Sequence, residues 1–289
     1  MVVVFALIFV ALGTVVFHFV SPWWWTPIAS NWGYIDDTIL ITFWVTGVVF
    51  IAVILFTAYC VYRFRYQEGK RAEYNPESKK LEWWLTGLTT LGVVVMLTPG
   101  LFVWNQFVTV PEGAAEFEVV GQQWQWSFRF PGKDGALGTT NARKINEDNP
   151  FGIDPKDPNG LDDVLVEGGE LHLPVNQPVK VLLRSIDVLH DFYVPEFRAK
   201  MDMVPGAVTY FWLTPTRTGT FDILCFELCG MGHHDMRGNV VVEEESAFQE
   251  WLQEQTTFAQ SVAEASEKDG VKLASSEAAI NSASTGPTR

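Results

Sequence analysis

Cysteine is scarce in this chain: three residues in 289, namely Cys60, Cys225 and Cys229. Three cysteines cannot form the dense framework of bridges that holds many small secreted domains together. The sequence also lacks any Cys-x-x-Cys-His, so this chain does not carry a covalently attached c-type haem. Any metal or redox chemistry of cysteine is therefore expected at the closely spaced pair Cys225 and Cys229.

Positive charge is also in short supply. The chain has 20 Lys+Arg against 34 Asp+Glu, a formal net charge of -14. Residues 1–108 contain six basic and six acidic residues, so the whole acidic excess lies in residues 109–289. An acidic domain repels nucleic acid and attracts cationic partners. The charge pattern thus excludes nucleic acid as a partner and favours docking of a basic protein.

Two long stretches, residues 38–62 and 83–111, lack charged side chains altogether. Each exceeds the roughly 20 apolar residues that cross a bilayer core of about 30 Å. We predict a transmembrane hairpin within residues 34–111, with helices at about 38–62 and 83–108. The loop 63–82 holds every basic residue of the first 108, so the positive-inside rule places it in the cytoplasm. The C-terminal domain then lies on the outer face, which in a bacterium is the periplasm.

A third apolar run, residues 1–20, precedes the hairpin. It lacks the basic start of a typical secretory signal, and Ile28-Ala29-Ser30 is a poor cleavage site. Residues 1–30 are therefore either a signal peptide or an N-terminal anchor that forms a third helix. The sequence slightly favours the anchor and leaves both open.

Short segments rich in Val, Phe, Leu and Thr follow residue 115, separated by turn residues such as Gly168-Gly169. This pattern is typical of an all-β sandwich or barrel, and we expect a Greek-key β-sandwich, which at this size resembles a cupredoxin. The predicted strands lie at 116–120, 124–130, 164–173, 179–185, 207–213, 219–225 and 239–243. Trp124 and Trp126 are two residues apart, so we expect them on one face of a strand.

Two segments of the C-terminal part lack an apolar pattern. Residues 132–163 form a Gly/Asn/Asp/Pro-rich insertion, predicted to be a solvated loop that contacts a neighbouring subunit. Its acidic residues do not have the spacing of a calcium loop. Residues 259–289 are predicted to be a disordered tail. The folded domain is thus expected to span residues 112–258.

The segment from Cys225 to Met236, Cys-Phe-Glu-Leu-Cys-Gly-Met-Gly-His-His-Asp-Met, concentrates thiol, imidazole and thioether groups, and His190 lies upstream. Thiolate and thioether favour Cu(I) and imidazole suits Cu(II), so the set favours copper. A blue-copper site needs one cysteine, whereas two thiolates could bridge two metals. The alternatives are a disulfide, a thioredoxin-type copper chaperone, and a zinc site that leaves Met236 without a role.

Three stretches resemble cytochrome c oxidase subunit II. They are the ligand loop, the segment Asp187-Val-Leu-His190 leading to Lys200-x-Asp202-x-x-Pro205-Gly206, and the run Gly121-Gln-Gln-Trp124-Gln-Trp126-Ser127. The resemblance covers residues 35 to 255 approximately and implies a membrane-anchored, cupredoxin-like domain. It implies a dinuclear copper centre, CuA, whose ligands are His190, Cys225, the backbone carbonyl of Glu227, Cys229, His233 and Met236.

The resemblance also implies a magnesium ion at the Glu227 carboxylate, on the boundary with subunit I. His234 falls one position off the ligand pattern and is predicted to be a surface or supporting residue. Glu82 stands where the family has a glutamate at the mouth of a proton path. The tryptophan usual three residues later is replaced here by Leu85, which weakens that assignment.

The implied function is electron entry into a respiratory haem-copper oxidase of the bacterial inner membrane. Cytochrome c would dock near Trp124, Asp187 and Asp202, and Trp124 would pass its electron to the copper centre. Subunit I, with subunit III beside it, would reduce oxygen and pump protons, so the enzymatic activity belongs to the complex. A CuA subunit of a nitric oxide reductase would show nearly the same motifs in this chain.

Overall fold

The computed structural model describes residues 1–21, 26–71, 74, 76–146 and 149–266. The chain divides into two units. One unit combines Met1–Pro27 with Gly33–Gln106, and the other combines Ile28–Trp32 with the chain from Phe107 onwards. The boundary after Gln106 agrees with the change from helical to strand-like sequence.

Three long helices form the first unit: α1 (Val2–Val20), α2 (Gly33–Arg63) and α3 (Lys79–Val108). All three are long and apolar enough to cross a membrane, by length and composition. Helix α2 covers the first uncharged run, and α3 covers the second as far as Val108; each helix begins a few residues before its run. Residues 22–25 of the N-terminal segment, and 72, 73 and 75 of the predicted cytoplasmic loop, lie outside the described residues.

Helix α1 packs against α2. The contact is edge-on between the His18 and Trp44 rings, whose centroids are 6.1 Å apart. Ala11 of α1 and Ala58 of α2 are buried, whereas most other residues of these helices are exposed in the isolated chain. Small residues allow close approach of helix backbones, which is how helices associate in an apolar solvent.

The second unit is a β-sandwich. Its strands are β1 (Ala115–Gln122), β2 (Gln125–Phe130), β3 (Val164–Glu167), β4 (Leu171–Pro174), β5 (Val179–Ser185), β6 (His190–Val194), β7 (Ala199–Met203), β8 (Thr209–Leu213), β9 (Gly219–Cys225), β10 (Arg237–Glu243) and β11 (Thr256–Thr257). The short helices α4 (Pro158–Leu161) and α5 (Glu245–Glu254) accompany them. One sheet has the order β11-β3-β2-β1-β5-β8 and the other β4-β10-β9-β6-β7. The predicted membrane-anchored, cupredoxin-like sandwich is confirmed.

The core lies between the two sheets and follows from alternation along the strands. In β5, Val179, Val181 and Leu183 are buried while the residues between them are less so. Period-2 alternation places one side chain of each pair on the inner face. The same alternation puts Phe221, Ile223 and Cys225 of β9 inside.

The strand prediction was wrong at several places, two of which affect the arrangement of the sheets. The segment predicted as one strand at 164–173 forms β3 and β4, which lie in different sheets because Gly168, at a φ of 65°, turns the chain between them. Strands β6 and β7 were not predicted, because charged residues interrupt their apolar residues. Their pairing nevertheless brings His190 next to Met203 across the ladder.

The insertion 132–163 is folded onto the sheet, so the prediction of a solvated loop was wrong for its centre. Phe151 and Ile153 are fully buried in a small second core with Val120, Leu165 and Phe258. Two isolated apolar residues in a polar stretch give no periodic signal, which is why the sequence did not reveal them. Phe258 closes this core from the C-terminal side.

A buried network of charges fixes the insertion to the sheet. Arg129 donates to Glu118 Oε2 at 2.7 Å and to Asp163 Oδ2 at 2.6 Å. Its Nη1 also donates to the Gly138 carbonyl at 2.9 Å. Arg184 pairs with Glu118 and donates to the Phe151 carbonyl at 2.8 Å. Two guanidinium groups therefore balance two carboxylates, as buried charges require.

The short segment Ile28–Trp32 is part of the sandwich unit although it precedes α2. Ala29 N donates to the Glu196 carbonyl at 2.7 Å, and Asn31 N donates to the Thr214 carbonyl at 3.1 Å. Trp32 is 2% exposed, and its Nε1 donates to the Trp212 carbonyl at 3.0 Å. The folded domain consequently includes residues upstream of the expected start at 112.

The structure also differs from the prediction at the C-terminal end. Residues 258–266 are helical, so order continues beyond the expected start of the disordered tail at residue 259. The buried Phe258 side chain and the pairing of β11 with β3 hold this start in place. Residues 267–289 of the predicted tail lie outside the described residues.

Candidate metal centre

The candidate ligands meet at one end of the five-stranded sheet. His190 opens β6 and Cys225 closes β9, which are neighbouring antiparallel strands paired at Phe192 and Cys225. The loop after Cys225 returns through a short turn of 3-10 helix, His233–Asp235, to Met236, directly before β10. Strand pairing thus brings His190 beside a loop that lies 35 residues later in the sequence.

Six donor atoms form a continuous set. The sulfurs of Cys225 and Cys229 are 3.7 Å apart. The remaining contacts each join one donor atom to one of these sulfurs: His190 Nδ1 to Cys225 at 3.8 Å, the Glu227 carbonyl to Cys225 at 3.2 Å, His233 Nδ1 to Cys229 at 3.5 Å and Met236 Sδ to Cys229 at 3.8 Å. All six groups expected from the sequence are therefore brought together.

This geometry fits a dinuclear metal site better than a disulfide. A disulfide needs sulfurs about 2.05 Å apart, and these are separated by 3.7 Å. Two sulfurs share the centre, and each has one imidazole nitrogen and one weaker donor beside it. His190, Cys229 and Met236 are almost completely buried. A largely buried set of two thiols, two imidazoles, a thioether and a carbonyl matches the donor preferences of copper.

The two thiols differ in their acid–base properties. Burial acts to raise the pKa of Cys225, but hydrogen bonds with His190 and with the backbone at Asp191 and Glu227 outweigh it and lower this pKa to about 6. For Cys229, burial and the neighbouring Cys225 raise the pKa to about 11. Two adjacent thiolates repel each other, so the metal-free site favours one thiolate beside one thiol. Metal ligation requires deprotonated cysteine, so a bound cation would displace the second proton.

Asp187 fixes the orientation of His190. Its Oδ1 accepts from His190 Nε2 at 2.8 Å, which leaves Nδ1 facing the sulfurs. Burial acts to raise the pKa of the Asp187 carboxyl, but hydrogen bonds from Gln123 N, His190 and Val188 N lower it below the ordinary value. An ionised Asp187 can only accept, so it holds the proton of the imidazole on Nε2.

Trp124 does not lie in a strand, contrary to the prediction from its spacing to Trp126. It occupies the turn between β1 and β2, is 40% exposed, and donates from Nε1 to the Cys229 carbonyl at 3.3 Å. Trp126 lies in β2 and is buried, with its ring centroid 6.4 Å from that of His190. The two tryptophans therefore have different environments, one at the surface of the ligand loop and one in the core.

Two residues of this region were missed by sequence reasoning. Gln123 donates from Nε2 to the Cys229 carbonyl at 2.7 Å, and its backbone N donates to Asp187 Oδ2 at 2.6 Å. Gly232 lies so close to Trp124 that an added Cβ would be 2.5 Å from the indole Cδ2. Gly230 and Gly232, on either side of Met231, were the one sign in the sequence that another group packs closely against this loop.

Asp202 lies on β7, on the opposite face of the sheet from the His190 side chain. It pairs with Asp191 across β6 and β7, whereas His190 pairs with Met203, so the two pairs face opposite sides of the sheet. Burial and a hydrogen bond with Asp202 raise the pKa of Asp191 to about 7, although Lys200 Nζ lies 3.3 Å away. Of the expected docking residues, Asp187 lies beside the turn that contains Trp124. Asp202 instead pairs with Asp191.

The remaining candidates occupy separate positions. His234 is exposed, with its Nε2 3.1 Å from Asp235 Oδ2, as expected for a surface residue. The Glu227 side chain is half-buried. Glu82 lies in the first turn of α3 and is exposed in the isolated chain. Among the residues that the structure describes, His190, Cys225 and Cys229 have ligand atoms within 4.8 Å of one another and could hold a metal ion.

Comparison with known proteins finds relatives over most of this chain. The family model for the periplasmic domain of cytochrome c oxidase subunit II matches residues 116–244. The alternative cytochrome c oxidase subunit 2 of Bradyrhizobium diazoefficiens is 66% identical over 259 residues, which cover 90% of this chain and 94% of that protein. The cytochrome c oxidase subunit 2 of Cereibacter sphaeroides is 28% identical over 245 residues, 79% of this chain and 77% of that protein.

A solved structure was also found, the periplasmic domain of subunit II of cytochrome oxidase (CoxB) of Bradyrhizobium japonicum. It is 28% identical, with a TM-score of 0.37, and the match covers 50% of this chain and 95% of that one. The high identity to the alternative subunit 2 over nearly the whole of both chains decides the assignment. This chain belongs to the cytochrome c oxidase subunit II family.

Proposed function

We propose that this chain is the electron-entry subunit of a respiratory haem-copper oxidase. The observation that carries the proposal is the continuous set of six donor atoms, in which four donors surround two sulfurs 3.7 Å apart. His190, Cys225, Cys229, His233, Met236 and the Glu227 carbonyl would hold the two coppers of a CuA centre. When bound, such a centre supplies one-electron exchange with little change of geometry.

The chain contributes position and exclusion of water. The ligands lie on strand ends and on one loop of a rigid sandwich, which limits how far they can move when the charge of the site changes. Asp187 holds the His190 ring, and the burial of Cys229 and Met236 keeps solvent away from the donor atoms. A preorganised and dry environment minimises the rearrangement that accompanies charge transfer.

Electrons would enter from cytochrome c on the acidic face of the domain. Trp124 is the proposed entry residue, because its partly exposed ring contacts the backbone of the ligand Cys229 directly. Asp187 lies beside that turn and could attract a basic donor. Subunit I would receive the electron and carry out oxygen reduction with proton pumping, and subunit III would complete the complex.

The membrane arrangement is part of the proposal. The three long apolar helices would anchor the chain in the bacterial inner membrane, with the copper domain in the periplasm. Glu82, in the first turn of α3, remains the candidate for a proton path. The magnesium ion expected at the Glu227 carboxylate also stays a prediction from the family.

The test is the copper content and the electron paramagnetic resonance spectrum of the full chain in its oxidase complex. We expect two coppers that share one unpaired electron in this subunit. Cys229→Ser should abolish that signal, because it removes one of the two thiolates that would hold the coppers. Cys60→Ser, a free cysteine within α2, is the matched control and should retain it. A Cys229→Ser variant that kept the dinuclear signal would refute the ligand assignment.

A further inference from the structure

The Cys229 backbone carbonyl has two hydrogen-bond donors from the turn between β1 and β2. Gln123 donates from Nε2 at 2.7 Å and Trp124 donates from Nε1 at 3.3 Å. The usual N–H···O distance is about 2.9–3.0 Å. The Gln123 bond is therefore the strong one, and the Trp124 bond is long and easily lost.

Gln123 is also tied down from the other side. Its backbone N donates to Asp187 Oδ2 at 2.6 Å, and the second oxygen of the same carboxylate accepts from His190 Nε2. One residue thus joins the turn that carries Trp124, the loop that carries Cys229 and the loop that carries His190. Neighbouring bonds in such a chain support one another, since each fixes the geometry of the next.

The indole of Trp124 rests on the backbone of the ligand loop. An added Cβ on Gly232 would lie 2.5 Å from Trp124 Cδ2, and one on Gly230 would lie 3.2 Å from Trp124 Cζ2. Another atom near Gly230 is Gln123 Nε2, at 2.9 Å from such a Cβ. The Gln123 amide and the indole ring therefore lie side by side at Gly230, and the indole extends on to Gly232.

We propose that Gln123 is a positioning residue for electron entry, which holds the Trp124 indole in contact with the Cys229 carbonyl. The inference rests on the proposed function and adds a task for a residue that does not ligate the metal. Gln123 acts through Trp124: its short bond fixes the carbonyl and the loop against which the ring lies. Without the amide, the partly exposed indole keeps only its long bond and its packing on Gly230 and Gly232, and the short Gln123 bond no longer fixes that loop.

The experiment is Gln123→Met in the full oxidase complex, with cytochrome c as the electron donor. Methionine keeps the length of the side chain and removes the amide donor. A single hydrogen bond shifts a local equilibrium by between about 2-fold and about 10-fold. We expect the rate of electron entry to fall by that factor in stopped-flow traces, while copper content, the dinuclear spectrum and KM for cytochrome c remain those of the native complex.

Gln125→Met is the matched control. It makes the same change one residue beyond Trp124, at the exposed start of β2, and should leave the rate of electron entry unchanged. The decisive readout is the double variant with Trp124→Ala. If Gln123 acts through the indole, then Gln123→Met should change the rate of electron entry by less than about 2-fold in the Trp124→Ala background.

Three results would overturn the proposal. They are a rate for Gln123→Met equal to that of Gln125→Met, an undiminished effect in the Trp124→Ala background, and loss of copper from the single variant. Failure of the proposed function is distinguishable, because the native complex itself would then lack the dinuclear signal. A native complex with that signal and an unaffected Gln123→Met variant would refute only the positioning role.

Discussion

His190 donates a hydrogen bond from Nε2 to Asp187 Oδ1 at 2.8 Å, and its Nδ1 lies 3.8 Å from the Cys225 sulfur. Burial acts to lower the pKa of His190, but the hydrogen bonds with Cys225 and Asp187 outweigh it and raise this pKa above the ordinary value. A carboxylate behind a ligating imidazole fixes its tautomer and increases its basicity. The pair therefore prepares His190 for metal before any metal is bound.

Asp187→Asn should weaken copper binding by about 10- to 100-fold, which is the usual effect of removing such a partner. The amide can still accept from Gln123 N, so the turn is retained while the charge behind His190 is lost. The measurement is copper affinity by competition with a chelator. Asp222→Asn, an exposed aspartate of β9, makes the same change in net charge away from the site. Equal affinities for the two variants would contradict the role of Asp187.

Trp32→Ala should destabilise the sandwich domain strongly, although residue 32 lies outside the matched family domain. The Trp32 ring is 2% exposed and packs on Trp212 with centroids 4.9 Å apart. Truncation of a buried Trp or Phe costs about 3–5 kcal/mol. The measurement is the thermal unfolding midpoint of the full chain. Tyr34→Ala, an exposed aromatic two residues later, should leave that midpoint nearly unchanged.

Asp163→Asn should change how stability depends on pH. Burial raises the pKa of Asp163 to about 6, against an ordinary value of 3.8, although Arg129 acts to lower it. Because the folded state holds this proton more tightly than the unfolded chain, the group stabilises the fold less as pH rises from 4 to above 6. The loss is at most about 3 kcal/mol.

The check is the unfolding midpoint of the native chain and of Asp163→Asn between pH 4 and pH 7. We expect the midpoint of the native chain to fall relative to that of the variant as pH rises through this window. The variant also loses the contact with Arg129, which lowers its unfolding midpoint at every pH. The informative quantity is therefore how the difference between the two midpoints changes with pH. A constant difference across the window would show that Asp163 has no raised pKa.

Most of the proposed copper ligands could be picked out from the sequence because, apart from His190, their signal is local. Cys225, Cys229, His233 and Met236 stand in one loop at spacings that few other sites share, and the structure brings their donor atoms together. The sandwich was predictable for a similar reason, since alternation in strands such as β5 is visible in the sequence. Both features depend on neighbours within about ten residues.

The features that were missed depend on distant neighbours. Glu118 and Asp163 read as ordinary surface acids, because the sequence does not show that Arg129 lies between them. The position of Trp124 was missed because the turn at residues 123–124 contains no Gly, Pro, Asn or Asp to mark it. Gln123 and Gly232 acquire a role only when that turn is placed against the ligand loop.

Gly232→Ala should slow electron entry through steric displacement of Trp124. Gly232 has a φ of -87°, which any residue can adopt, so alanine introduces no backbone strain there. Its Cβ would nevertheless meet the indole at 2.5 Å, and the ring would have to move away from the loop. Overpacking of this kind costs about 1–3 kcal/mol.

We therefore expect the rate of electron entry from cytochrome c to fall about fivefold or more, with two coppers still bound. The measurement is the stopped-flow rate in the full complex, together with the dinuclear resonance spectrum. Gly33→Ala is the control, since a Cβ there meets nothing within 4 Å. An unchanged rate for Gly232→Ala would mean that the contact between the indole and the ligand loop does not govern electron entry. A slower rate with an altered copper spectrum would instead mean that the substitution disturbs the neighbouring His233, a proposed copper ligand.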